Sequence, residues 1–391
     1  MAILLAILAL GLCVLTLMAM AQRRQLATTM PPPPQVLPGV SILKPMRGAD
    51  PGLAGNLESF FRLDYPEYEV LFGVDDPTDP ASEVALRVAG AHPEVPSYLV
   101  VDTRQVGFNP KVNNLARLLR HARHEVIWIS DSNTRVAPDT LRDLVAHLEK
   151  AGTGLVSSPF RGVAAGGAGG ALESLQLNTF VMGSVSAAHR LLRKVCVVGK
   201  SMLLRRSTLA RLGGFAFLGR FLAEDQVCGE EIARLGLGVT VSGRPIDNML
   251  GNLSVRSFLA RHLRWATIRR CMNPAAYAGE VLLNPVFVAV CSALAARTPD
   301  SLVLAFAVLL LKSVLDAAGE RSAGVRRSFL VYPFLTLMKD LLVGCVWVVP
   351  FLSTSVTWRG NRFHIGSRTV LSPVLSPTAA ILGRASAEAG G

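Results

Sequence analysis

No Cys-x-x-Cys pair occurs among the six cysteines of this 391-residue chain. Cys13, Cys196, Cys228, Cys271, Cys291 and Cys345 are scattered, several inside apolar runs, which excludes a zinc ribbon or a disulfide framework and points to a reducing compartment for the soluble part. Charge is scarce as well: 17% of residues are charged against 50% apolar. That balance excludes a disordered, collagenous or small disulfide-stapled protein and leaves a large globular enzyme, a membrane protein, or both. Acids are the scarcer sign, 28 against 40 Lys and Arg, for a formal net charge of +12. Such a surplus suits nucleic acid, phosphate-bearing substrates or a membrane face. Only 6% of residues are Phe, Trp or Tyr, and no base-stacking array accompanies the arginines, so nucleic acid is not expected as a partner.

Residues 1–21 carry no charged side chain, and a helix of about 20 residues crosses a hydrocarbon core about 30 Å thick. A cleaved signal peptide is the rival, because Ala19-Met20-Ala21 resembles a small-x-small cleavage site. Against it, no base precedes the run, the run is long for a signal, and Arg23-Arg24 follow directly. The expectation is a transmembrane anchor over 1–21 with the rest on the cytoplasmic side. Residues 22–39, with Pro31 to Pro34, are expected to form a stiff Pro-rich linker. A soluble domain is expected over 40–280, membrane segments over 281–352, and a tail over 353–391 that is loose from 379 onward. Two apolar runs, 281–296 and 301–318, flank Arg297-Thr298-Pro299-Asp300 and read as a membrane hairpin. A third, 329–352, contains Lys339-Asp340, which either faces a bundle interior or marks an interfacial segment. Multi-pass insertion is therefore expected, in a bacterial inner membrane with the soluble domain facing the cytoplasm.

Between the apolar ends, short Val/Ile/Leu runs expected as strands (40–43, 68–74, 98–101, 126–130, 155–158) alternate with helical patterns (53–63, 81–91, 112–122, 140–148). This predicts an α/β fold with a mostly parallel, Rossmann-like sheet covered on both faces, with ligands at the carboxyl ends of its strands. The Gly/Ala-rich stretch 162–170 has no strand-to-helix phosphate context and is expected to be a mobile loop.

Four clusters carry the candidate chemistry. Asp75-Asp76-Pro77-Thr78-Asp79 ends an apolar strand, where Asp76 can accept a hydrogen bond from a base or ribose while Asp79 caps a helix. Asp131-Ser132-Asn133 ends another, offering oxygen ligands to Mg²⁺ or Mn²⁺ on a diphosphate. Glu224-Asp225 follow an apolar patch and suit a general base. Arg261-His262-Leu263-Arg264-Trp265 lies in a stretch, 252–279, with no acid; guanidinium forks clamp diphosphates and an indole walls a sugar or acceptor pocket. A basic amphipathic helix on anionic lipid is compatible with that reading.

Taken together, Asp76, Asp131, Asp225 and Arg261-x-x-Arg264-Trp265 resemble the D, D, D, (Q/R)xxRW signature of family 2-like glycosyltransferases. The nearer resemblance is to the ceramide glucosyltransferase family, family 21, which is related to bacterial hopanoid glucosaminyl transferases. It is carried by Ser41-Ile42-Leu43-Lys44-Pro45, Asn109-Pro110-Lys111-Val112-Asn113-Asn114-Leu115, Asp131-Ser132-Asn133-Thr134-Arg135-Val136, Phe221-Leu222-Ala223-Glu224-Asp225 and Trp358-Arg359-Gly360. The resemblance implies a GT-A catalytic domain with Asp76 on uridine, Lys111, Asn113 and Asn114 holding the nucleotide, and Asp131 on a divalent cation. It further implies Asp225 as general base, and Arg261, Arg264 and Trp265 at the diphosphate and acceptor. His189 falls where the family also has a histidine. Asn133 departs from a full Asp-x-Asp, so the metal would rest on one carboxylate.

The activity implied is an inverting transfer from a UDP-sugar, glucose first, to the primary hydroxyl of ceramide or a similar membrane lipid. The same-class alternative is N-acetylglucosamine transfer to a hopanoid. A processive polysaccharide synthase is the different-class alternative, and it would need more membrane helices to form a channel.

Overall fold

The computed structural model describes residues 1–50, 52–353, 355–358 and 361–373. Arg359 and Gly360, quoted above, and the expected loose terminus from 379 lie outside the described residues. The first helix, α1 (Ala2–Leu26), runs past its expected end at residue 21. Its last turns are docked on the soluble domain. Buried Gln22 donates from Nε2 to the carbonyls of Asn178 (2.9 Å) and Gly319 (3.1 Å), and buried Gln25 to those of Val241 (2.8 Å) and Ser242 (2.9 Å). A buried amide needs such partners, so these bonds fix the anchor against the domain, and the segment expected as a spacer does not hold the two apart.

Strand and helix then alternate: β1 (Val40–Pro45), α2 (Leu53–Phe61), β2 (Tyr68–Val74), α3 (Pro80–Gly90), β3 (Ser97–Val101), α4 (Pro110–His121), β4 (Val126–Ser130), β5 (Thr134–Arg135), α5 (Thr140–Leu148) and β6 (Thr153–Ser157). Asp79 and Asn109 start α3 and α4 as side-chain caps placed just before a proline, accepting from the N–H of Ala81 (2.8 Å) and Val112 (3.1 Å). Every residue of β1, β2 and β4 is buried, as expected of strands covered on both faces.

The stretch expected as a mobile loop instead forms β7 (Phe160–Gly166) and opens α6 (Gly167–Gln176). The chain continues through α7 (Met182–Arg190), β8 (Ser201–Arg205), α8 (Arg206–Arg211), α9 (Gly214–Leu218), α10 (Glu224–Arg234), β9 (Gly238–Val241) and β10 (Ile246–Asn252). β7 is ordered by its parallel ladder with β10, distant in sequence, which local Gly/Ala composition does not reveal. The main sheet has the order β3-β2-β1-β4-β8-β6-β9, and β8 alone runs against its neighbours.

After β10 come α11 (Val255–Met272), α12 (Pro274–Gly279), α13 (Pro285–Ala296), α14 (Pro299–Ser322) and α15 (Tyr332–Val348). Among the described residues three helical segments are long and apolar enough to cross a membrane, Ala2–Leu26, Pro299–Ser322 and Phe329–Phe351. The first arm of the expected hairpin is not a straight crossing. With 12 residues α13 reaches only about 18 Å, and it is bent by 71° from the segment Pro274–Leu283. Lys339 and Asp340 face the interior: Lys339 Nζ lies 3.2 Å from Asp316 Oδ2 and 2.9 Å from Asp340 Oδ1, and Lys312 also pairs with Asp316. Charges buried among apolar helices persist when paired in this way.

Both ends of α15 stay on the α/β domain. Tyr332 packs with Leu172, Leu175 and Phe258, while Val346 packs with Ala266. The chain then folds back as β11 (Ser355–Trp358), β12 (Asn361–Ile365) and β13 (Leu371–Pro373). Phe363, Ile365 and Leu371 pack on Leu222, and the Leu222 N–H donates to the Thr369 carbonyl at 2.9 Å. The early part of the expected tail is therefore folded onto the domain beside α10.

Candidate active site

Register builds the centre of the site. Ser130 opposes Ser201 in the β4–β8 ladder, so Asp131, one residue past β4, and Lys200, one before β8, meet at the same end of the sheet. Lys200 Nζ lies 3.3 Å from Asp131 Oδ2 and 2.9 Å from Asn133 Oδ1. Lys111, in the first turn of α4, reaches Asp131 Oδ1 at 2.9 Å and Glu224 Oε1 at 3.3 Å, and donates to the Gly199 carbonyl at 2.8 Å. Lys44, buried near the end of β1, donates to the Asp131 carbonyl at 2.6 Å with its ammonium 3.7 Å from the centre of the Phe60 ring. Three lysines thus converge on one aspartate.

The electrostatics separate the acids into two kinds. Burial opposes the Asp131 charge, yet Lys111 and Lys200 outweigh it and hold the carboxyl well below the usual range. Burial likewise works against the Lys111 ammonium, but Asp131, Glu224 and Asp225 keep its pKa above the ordinary lysine value. Glu224 and Asp225, at the start of α10, go the other way: burial pushes both up, against the pull of Lys111. Asp225 Oδ2 accepts from the Gly199 N–H at 2.6 Å and Oδ1 from the Gln226 N–H at 2.8 Å, while Glu224 Oε2 accepts from Asn109 Nδ2 at 3.1 Å. A Cβ at position 199 would come within 2.8 Å of Asp225 Oδ2, so glycine is what lets this backbone approach. One acid held ionised beside others of raised proton affinity is the arrangement that divides ligand binding from proton transfer.

On α11, Arg261 Nη1 donates to Glu173 Oε1 at 3.0 Å, and His262 Nε2 lies 3.0 Å from Glu173 Oε2. Glu173, on α6, is fully buried; burial raises its pKa, but His262 and Arg261 bring it below the ordinary value. Trp265 stands edge-on to His262, ring centres 5.5 Å apart. Arg261, Arg264 and Trp265 line one cleft of about 1280 Å³ with Lys111, Asp131, Lys200, Glu224 and Asp225. Leu10, Gly11 and Val14 of α1 and Leu282 and Leu283 line the same cleft.

Four expected site residues stand apart from the cleft lining. Asp76 is exposed and closes a turn, accepting from the N–H and hydroxyl of Thr78 at 2.8 and 2.7 Å, which hold its carboxyl below the ordinary value. Its strand nevertheless ends beside β1, whose Pro45 lines the cleft and pairs in register with Gly73. Asn113 and Asn114 are buried and hold backbone: Asn113 Oδ1 accepts from Val106 and Gly107, and Asn114 Nδ2 donates to the Gly73 carbonyl. Asn113 holds the loop ahead of α4, and Asn114 ties that helix to β2. His189 lies in an adjoining depression with Arg190 and Arg193, its pKa lowered by burial and by Arg190.

Sequence reasoning assigned no role to Lys44, Lys200 and Glu173. A lysine bounding an apolar strand is a readable signal for the first two. Glu173 offers none, since it meets Arg261 across 88 residues.

A divalent cation on Asp131 would share one carboxylate and the Asn133 amide oxygen with an ammonium already bonded to both. Among the described residues no group of three His, Cys, Asp or Glu side chains is placed to hold a metal. The donor set as it stands does not fit a hard dication.

A mostly parallel sheet with acids at its strand ends, an arginine-bearing helix over the same cleft and apolar helices beside it define a membrane glycosyltransferase of the GT-A fold. The chain belongs to glycosyl transferase family 21, whose family model matches residues 2–371. Ceramide glucosyltransferase 3 of Caenorhabditis elegans is 29% identical over 351 residues, covering 84% of this chain and 73% of the relative. Ceramide glucosyltransferase 1 of the same organism is 28% identical over 346 residues, covering 85% and 73%. The solved mannosyltransferase PcManGT from Pyrobaculum calidifontis, in complex with GDP-Man and Mn²⁺, shares the fold with a TM-score of 0.53 at 21% identity, over 88% of this chain and 97% of that one.

Proposed function

We propose that the protein moves glucose from UDP-glucose to the primary hydroxyl of ceramide or a similar two-tailed membrane lipid, with inversion at the anomeric carbon. The observation that carries this reading is one cleft lined both by Lys111, Asp131 and Asp225 and by apolar residues of the anchor helix. A lipid entering from the bilayer lays its chains along α1 and presents its headgroup to the acids. A soluble acceptor would have no use for that wall.

In the transfer Asp225 takes the proton of the attacking hydroxyl. Its raised proton affinity suits that part, and its bonds to Gly199 and Gln226 fix its direction. The oxygen attacks in line, so an α-linked donor gives a β-linked glycolipid. Lys111, Arg261 and Arg264 stabilise charge on the departing UDP, Trp265 walls the acceptor, and Asp76, exposed on the turn after β2, contacts uridine. Asn113 and Asn114 support the nucleotide indirectly through the backbone they hold. The Mg²⁺ or Mn²⁺ implied by the family does not match the donor set. The membrane is a bacterial inner membrane, with the catalytic domain on the cytoplasmic face beside Arg23 and Arg24.

The test is reconstitution of the purified chain in lipid vesicles with UDP-glucose or UDP-N-acetylglucosamine and with ceramide or a hopanoid polyol. Glucosylceramide is the expected product. An N-acetylglucosaminyl hopanoid alone would replace the proposed pair of substrates, and no glycolipid from any combination would contradict the reading.

A further inference from the structure

We infer that Lys200 does the work of a divalent cation at the donor diphosphate, so that this chain binds its nucleotide sugar without metal. The inference rests on the nucleotide-sugar reading above. Its first support is position. The β4–β8 register places Lys200 beside Asp131, and its ammonium bonds both oxygens that a metal at this motif would use, Asp131 Oδ2 and Asn133 Oδ1.

The second support is charge balance. Asp131, the one carboxylate of the motif, is already met by the ammonium groups of Lys111 and Lys200, with Lys44 on its carbonyl. Position 133 carries a neutral amide, and Lys200 supplies the cation bonded to it. A dication added beside Lys200 would upset that balance and meet like charge at short range.

Third, the geometry leaves a donor for the ligand. A lysine ammonium has three N–H donors, and the two bonds to Asp131 and Asn133 use two of them. Lys200 lines the cleft with its side chain only 15% exposed, so the remaining donor serves an oxygen inside the cleft. Held in this way, the ammonium is preorganised for a diphosphate oxygen. Lys111 stands across the same carboxylate, with Arg261 and Arg264 on the cleft wall. Lys200 itself has no place in the proton transfer, so its effect is on donor binding and on the charge of the leaving group.

Calorimetric titration of the full chain in detergent with UDP, once in EDTA and once in Mn²⁺, tests this. For the native chain the two dissociation constants should agree within about threefold. Lys200→Met should lose about tenfold or more in EDTA, the usual weight of a charge-assisted hydrogen bond. Lys200→Arg, which keeps the charge, should retain most of the EDTA affinity, and Lys200→Met combined with Asn133→Asp should bind UDP tightly only with Mn²⁺. Thermal unfolding of each variant identifies those that are folded. Native binding that requires Mn²⁺, or unchanged EDTA binding by folded Lys200→Met, would overturn the assignment. No UDP binding by any form in either condition would overturn the nucleotide-sugar reading and this assignment with it.

Discussion

The Lys111 ammonium stands between two carboxylates, 2.9 Å from Asp131 and 3.3 Å from Glu224, and so joins the end of β4 to the start of α10. Removing one partner from a buried charged cluster leaves the others uncompensated, at a cost of about 3–5 kcal/mol. Lys111→Met is expected to lower the midpoint of thermal unfolding in detergent and to weaken UDP binding. An unchanged midpoint would mean that the cluster is hydrated and loosely coupled.

The pH dependence follows from the sign of the Asp225 shift. Burial raises its pKa above the ordinary 3.8, and only the ionised form accepts a proton. Turnover is therefore full above the raised value and is lost as pH falls through it. The acid limb of kcat/KM should lie above pH 3.8, and Lys111→Met should move it higher, because Lys111 pulls the Asp225 pKa down. Asp225→Asn should reduce kcat by about 10²–10⁴ while leaving UDP affinity nearly unchanged.

Glu173 touches no cleft group except through Arg261 and His262, and it fixes both. Glu173→Gln should lower kcat/KM about tenfold, in line with the loss of a charge-assisted bond that orients Arg261. A larger effect on donor KM than on acceptor KM is expected. Steady-state kinetics with each substrate varied separately distinguish the two.

Gly11 lets α1 approach the Leu282 carbonyl, since a Cβ there would come within 2.4 Å of that oxygen. Gly11→Leu should displace the apolar wall and raise the KM for the lipid acceptor about tenfold, the loss expected from misplacing a buried side chain or two. UDP affinity should not change. Equal damage to both would mean that α1 positions the whole domain and is not specific to the acceptor.

The order of strands and helices was legible because strands buried on both faces are written as unbroken runs of Val, Ile and Leu, and because Asp79-Pro80 and Asn109-Pro110 mark helix starts. The strand-end acid Asp131 was legible for the same reason, and Asp225 because an acid pair follows the apolar patch before α10. What local sequence concealed depends on long-range pairing. β7 is ordered by β10, Lys200 is brought to Asp131 by the β4–β8 register, and Glu173 meets Arg261 only in the folded chain. Asn113 and Asn114 show the converse: motif residues that bond backbone away from the cleft lining. The apolar helices were recognisable by length, but the docking of α1 through Gln22 and Gln25 and the bend before α13 follow from tertiary contacts.

Mass spectrometry of lipids from cells producing the chain, set beside cells producing Asp225→Asn at equal abundance, tests the central claim most directly. A lipid heavier by one hexose, with a β-linkage to a primary hydroxyl, should accumulate with the native chain and be absent with Asp225→Asn. Identical lipid profiles in the two, or a hexosylated lipid made equally well by Asp225→Asn, would contradict the account.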